Sequence, residues 1–258
     1  MFNGDQWFTE KRKNENCLNG ISADCVIYRI FSFERFLELL EENKNTLVKP
    51  RKWDDPFENF LFSAKAIDQN GQQIGLESIR ESYFGQCWSF HDENDAMWRI
   101  YARNKDGIKV KTTVGKLFNE FYSAITGPEL KCYIGKVEYK DEEEIRQFLG
   151  NDGEVHDHIF DSTGIKSAKT LLFKRNAFEH ENEVRLIYVT TDDSEKALDV
   201  FKYKINQNSL FEEVVLDPRL DCATYEQYKK KICEAGYSSS IIQSTLYTVP
   251  NLTIRINI

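Results

Sequence analysis

The stretch Phe178-Glu-His-Glu-Asn-Glu-Val-Arg-Leu-Ile-Tyr-Val189 sets Glu181, Glu183 and Arg185 at alternate positions. From Glu183 onward it reads as a strand, with Val184, Leu186 and Tyr188 on one face and Glu183, Arg185, Ile187 and Val189 on the other. An extended backbone carries Glu181 to the face of Glu183 and Arg185, because side chains two apart point the same way. Two neighbouring carboxylates raise each other's pKa unless a cation sits between them, and arginine supplies that cation at fixed charge. Such a cluster is either an ion pair at a strand mouth or an acid that grips a ligand or takes part in catalysis.

Other candidates lie far off in sequence. Arg29 alternates with Cys25, Ile27 and Phe31, so it falls on an apolar face and needs an anionic partner. That partner is internal (Glu181, Glu183, Asp55 or Glu58) or a ligand phosphate held by the planar guanidinium fork. Ser89 ends a strand between Trp88 and Phe90, where its hydroxyl either orients a flat ring or bonds local backbone. Trp98 and Tyr101, three apart on one helix, either stack on a heterocycle or belong to the core. The four histidines include only one H-x-H pair, His156 and His158, a weak metal signal that reads as a solvated loop. No phosphate-binding P-loop, dinucleotide G-x-G-x-x-G or G-x-S-x-G elbow occurs.

The elements that must position these residues mix without a βαβ rhythm. Strands are expected at 25–31, 46–50, 83–90, 108–112, 132–139, 183–189, 198–204, 213–216 and 252–256, with helices after Ser32, at 76–82, after a cap at Asp92 or Asn94 and carrying Ala96 to Tyr101, at 114–124, from Asp141 and at 225–235. This pattern predicts a single α+β domain over 25–258 whose sheet is mixed, mostly antiparallel or split, and packed against helices. Residues 1–24 lack periodicity and read as an N-terminal arm in which Trp7 and Phe8 can dock.

Bulk composition narrows the function. The chain has 258 residues, 41% hydrophobic and 13% aromatic, ample for a packed core. Its net charge of -8 opposes broad affinity for nucleic acid or anionic membrane, and no run approaches the ~18 apolar residues of a spanning helix. Six scattered cysteines without a C-x-x-C pair read as reduced, buried thiols, and the expected location is the cytoplasm.

Taken in order, Tyr28-Arg29, Trp53-Asp-Asp-Pro-Phe-Glu58, Cys87-Trp-Ser-Phe90, Met97-Trp98 with Tyr101, and Glu181-Asn-Glu-Val-Arg185 resemble the signature of a bacterial family of unknown function, together with Asp217-Pro-Arg219 and Ser244-x-Leu246. The chain also resembles ADP-ribosyltransferase-like folds, which place an Arg on a first strand, a Ser on a middle strand and a Glu on a later one. That resemblance implies an NAD-using enzyme, an ADP-ribosyltransferase or NAD glycohydrolase in a defence or toxin setting. Glu183, Glu181 and Ser89 would be catalytic. Arg29 would hold a phosphate, with Tyr28, Trp98 and Tyr101 around the NAD, and an unknown macromolecule would accept the ADP-ribose. The middle strand lacks a full Ser-Thr-Ser, and the spacing from Ser89 to Glu183 is long for such folds. The alternatives are a non-catalytic binding module, in which the same charges form a buried structural network, and a metal-dependent nuclease.

Overall fold

The computed structural model describes residues 15–68, 70–125 and 131–256; Trp7 and Phe8 lie outside them. Its first strands are β1 (Cys17–Leu18), β2 (Val26–Ser32), β3 (Lys44–Val48), β4 (Ala66–Ile67), β5 (Gln73–Ile74), β6 (Tyr83–Ser89) and β7 (Gly107–Thr113). There follow β8 (Cys132–Lys136), β9 (Glu138–Lys140), β10 (Phe173–Arg175), β11 (Glu183–Val189), β12 (Val200–Lys204), β13 (Glu213–Leu216) and β14 (Ser240–Gln243). Among the described residues, ten of these strands form one mixed sheet in the order β1-β8-β11-β6-β2-β7-β13-β14, with β3 also on β6 and β12 on β3. Only β1 on β8 and β14 on β13 are parallel within it. The expected α+β class with a mostly antiparallel, split sheet is what is found.

The split occurs beside β6. Both β2 and β3 use the same edge of that strand, β2 through Tyr28 opposite Ser89 and β3 through Val48 opposite Gly85. Between these bridges the sheet forks. Buried amides fill part of the gap left by the missing ladder: Gln86 and Asn45 exchange hydrogen bonds of 2.6 and 3.2 Å, Gln86 donates to the Thr46 carbonyl, and Trp88 Nε1 donates to Gln86.

The alternation of β11 holds on both faces because each meets a core. Val184, Leu186 and Tyr188 pack with Phe36, Leu40, Trp88 and Phe121, while Ile187 and Val189 pack with Phe60, Tyr83, Leu171 and Leu172. Helix Phe33–Glu42 starts where Ser32 accepts from the Arg35 N–H and ends at Asn43, whose φ of 52° is left-handed. The acidic run at Asp141 is a capping box with Glu144.

Three expectations need correction. Leu252–Ile256 forms no strand; it is irregular with Leu252, Ile254 and Ile256 exposed, and the last strand is β14. Apolar alternation makes a strand only where a neighbouring strand receives its hydrogen bonds. His156 and His158 lie on helix Asp152–Ile159 rather than in a loop. Cys132 is buried, but Cys222 and Cys233 are exposed; none of the six cysteines is in a disulfide. From the expected N-terminal arm, Cys17 and Leu18 join the sheet edge, and Leu18 is buried.

Candidate functional site

Turn Trp53–Asn59 and strands β10 and β11 together build a sealed charge cluster. Asp55 caps the 3-10 turn Pro56–Asn59 by accepting from the Phe57 N–H, and Arg175 holds its carboxylate at 2.7 Å. This turn delivers Glu58 inward. Parallel pairing of β10 with β9 sets Lys174 beside Tyr139, and Lys174 Nζ reaches Glu58 at 2.9 Å, Glu181 at 3.0 Å and Glu183 at 2.7 Å. Arg185, 0% exposed, contacts Glu183 at 2.7 Å and Glu58 at 2.9 Å, and donates 2.7 Å to the Leu171 carbonyl. Its guanidinium lies 4.5 Å from the Trp53 ring, which is seated over Gly85; a Cβ there would come within 2.5 Å of Trp53 Cζ2.

Glu181 reaches the cluster by a route the alternation does not describe. It ends a 3-10 turn, Asn176–Glu181, and Asn182 at φ 44° turns the chain left-handed before β11 begins. Expecting an extended backbone there is a correct proximity from a wrong geometry. Ser89 Oγ donates 2.7 Å to the Glu181 carbonyl and accepts from the His91 N–H at 3.0 Å, so the hydroxyl clamps the turn. Ser89 Oγ thus ties the end of β6 to the turn that carries Glu181.

The two acids differ in how they are held. Glu183 is 3% exposed, and its two carboxylate oxygens are bonded separately, Oε1 to Lys174 and Oε2 to Arg185. Burial pushes its pKa up, but the Arg185 and Lys174 charges overcome that and hold it at about 2. Glu181 Oε2 accepts 2.6 Å from the Tyr101 hydroxyl and 3.0 Å from Lys174, and the Glu181 carboxyl also lies within hydrogen-bonding reach of the Glu183 carboxylate. Burial, and then the neighbouring Glu183 carboxylate, push Glu181 up to about 7. Burial and Glu181 also raise Tyr101, which stays a phenol donor.

The open side of this cluster is a cleft at the fork, enclosing about 590 Å³ counted out to the solvent at its mouth. It brings together Tyr28, Arg29, Ser89, Tyr101, Glu181 and Glu183. Trp98 is the exception among the expected site residues: it is fully buried, its Nε1 donates 2.6 Å to Glu93, and it stands behind the wall made by Met97 and Tyr101. Its helix, Asp95–Tyr101, is capped by Asn94 at one end, and at the other Arg219, anchored on Asp217, donates to the Ala102 and Trp98 carbonyls. The Asp-Pro-Arg segment thus aims Tyr101.

Arg29 is the unusual member. It makes no hydrogen bond and no ion pair with the described residues, its guanidinium rests 4.7 Å from the Phe31 ring, and its buried Nη1 has no partner. None of the four internal acids expected to neutralise it does so: Asp55 is held by Arg175, Glu58 and Glu183 by Lys174 and Arg185, and Glu181 by Tyr101 and Lys174. Burial lowers Arg29 to about 10, so it is charged at neutral pH. Burial also pushes the Cys87 thiol up, which rules it out as a nucleophile at neutral pH.

Lys174, Tyr139 and Arg219 escaped the sequence reading as site-building residues. The lysine that converges on the acids comes from β10, nine residues before Glu183, and sits among the three carboxylates. Among the described residues no group of three or more His, Cys, Asp or Glu side chains is placed to hold a metal ion, and no helix is long and apolar enough to cross a membrane.

Residues 97–186 match the family described as protein of unknown function (DUF2971). That span contains two of the motifs that carry the family resemblance, Met97-Trp98 with Tyr101 and Glu181-Asn-Glu-Val-Arg185, while Tyr28-Arg29, Trp53 to Glu58 and Cys87 to Phe90 precede it. No curated protein matches the sequence. Among solved structures, the chain is similar to DarT of Thermus sp. 2.9. The complex with carba-NAD+ shares 11% identity, with 87% of this chain and 97% of that chain covered at a TM-score of 0.38. The NAD+ complex shares 11% (86% and 96% covered, TM-score 0.39), and the complex with ADP-ribosylated ssDNA shares 12% (86% and 95%, TM-score 0.38).

Proposed function

We propose that the cleft binds NAD and breaks its nicotinamide glycosidic bond, passing ADP-ribose to water or to a macromolecular acceptor. The observation that carries this reading is a charged arginine with a buried, unpartnered nitrogen in the same cleft as the Glu181 carboxyl, which burial and the Glu183 carboxylate push up to about 7. A buried guanidinium without an anion is costly, and a phosphate supplies the missing charge and hydrogen bonds. Tyr28 and the exposed part of the Tyr101 ring offer aromatic surface to a flat heterocycle.

The acid in this reading is Glu181, because both oxygens of Glu183 are already bonded to cations. Ionised Glu181 accepts a hydrogen bond from a ribose hydroxyl through Oε1. As the C1′–N bond breaks, its electron pair leaves with nicotinamide, and the ribosyl cation left behind is stabilised by the negative charge held near that hydroxyl. Lys174, Tyr101 and the Ser89 clamp keep the carboxylate in place, and Glu183 with Arg185 forms the rigid floor.

Nicotinamide release from NAD by the purified chain tests the reading. Glu181→Gln keeps the shape but removes the charge and should lower release by at least about 100-fold. Equal release by both proteins would overturn the catalytic role. Because the ionised form acts, release should climb with pH through about 7 and level off above it.

A further inference from the structure

We propose that Lys109 is a second anion-binding residue of the cleft, held in reserve by Asp92, so that a ligand with two linked anionic groups displaces Asp92 as it binds. The ligand class meant is a diphosphate carried by a nucleoside, and in this respect the inference rests on the NAD reading above.

Lys109 lies on β7 directly opposite Ile30 and so on the face of Tyr28 and Ile30, whereas Arg29, opposite Val110, starts from the other face and meets them at the fork, where Tyr28, Arg29, Ile30, Asp92 and Lys109 all line the cleft. Its side chain is 4% exposed, yet the carboxylate that neutralises it at 2.7 Å, Asp92, is 70% exposed. That asymmetry matters. A buried ammonium needs an anion at all times, whereas an exposed carboxylate returns to water at little cost. Among the described residues, Asp92 accepts no side-chain hydrogen bond other than the one from Lys109. The other acid near Lys109, Glu93, is fixed through Oε1, which accepts from Trp98 Nε1 and the Ser244 hydroxyl, and its Oε2 stays 3.9 Å from Lys109 Nζ, a longer contact that remains when Asp92 leaves. Asp92 also sits in the short connection between β6 and helix Asp95–Tyr101, outside both elements, so its release breaks no ladder or helix bond. The Lys109 ammonium is 5.3 Å from the Tyr28 ring, which gives it an apolar wall in either state. Asp92 thus stands where a ligand anion would, and it competes with that anion for the same ammonium.

Calorimetric titration of the full chain with ADP, and with adenosine as the uncharged control, separates this from a merely structural ion pair. Asp92→Asn removes the competitor and should tighten ADP about tenfold, while Lys109→Met should weaken it about tenfold and Lys109→Arg should retain it. Adenosine binding should respond to none of these. A structural pair alone would leave ADP affinity unchanged or reduced in Asp92→Asn, and that result overturns the inference. If Arg29→Leu abolishes ADP binding while Asp92→Asn and Lys109→Met match the wild type, the latch fails and the nucleotide reading stands. If the wild-type chain binds no ADP at all, both fall.

Discussion

Two arginines on strands of one sheet meet opposite fates. Arg185 on β11 is sealed among Glu58, Glu183 and the Leu171 carbonyl, with Trp53 over its plane; Arg29 on β2 reaches the fork and finds no acceptor. A buried charge that is fully bonded is part of the architecture, and removing its partner strands it. A buried charge left unbonded lowers stability for as long as no ligand arrives, which is the signature of a binding group. The same contrast separates Glu183, which meets a cation at each oxygen, from Glu181, which meets Lys174 through Oε2 and is pushed up by burial and by Glu183 itself.

The contrast breaks most visibly in stability. Glu183→Ala leaves Lys174 and Arg185 short of a partner and should cost about 3–5 kcal/mol in denaturant unfolding. A loss below about 1 kcal/mol would show that the sealed cluster is not structural.

Glu181 should behave in the opposite sense. A carboxyl whose folded pKa is raised to about 7 favours the protonated fold, so its contribution is present at low pH and is lost as pH rises through about 7. Glu183, held at about 2, contributes above its ordinary carboxylate pKa and loses that contribution as pH falls toward about 2. Glu181→Gln should therefore melt higher than the wild type at pH 8, with the two converging as pH falls below the ordinary carboxylate pKa of 4.5. A lower melting temperature at pH 8 would put Glu181 on the structural side of the comparison.

The smallest expected effect is remote. Arg219→Ala uncaps helix Asp95–Tyr101 and should cost about 1 kcal/mol, with a few-fold drop in nicotinamide release as Tyr101 loses its aim. Release unchanged in a folded variant would detach Tyr101 from the chemistry.

How much of this was legible in the sequence varied with the range of the contact involved. The alternation of β11 reads correctly because each face meets its own apolar core, and Arg29 stands out because a charge interrupts an apolar face. The split sheet follows from the irregular order of strands and helices. Lys174 was hidden because its position depends on a parallel pairing between β9 and β10 across more than thirty residues, which no local pattern encodes. Ser89 and Trp98 have the right types for a site, but only tertiary contacts reveal that one clamps a turn and the other backs a wall. Leu252–Ile256 has the pattern of a strand without a neighbour to pair it.

The most direct test is the thermal shift of the full chain with saturating NAD, measured in parallel on the wild type and Arg29→Leu. The account expects Arg29→Leu to melt at or above the wild-type temperature without ligand, because no internal bond is lost, and to show no NAD-induced shift where the wild type shows a rise. A variant that is strongly destabilised without ligand, or that keeps the wild-type shift, would contradict the claim that Arg29 is held open for a ligand.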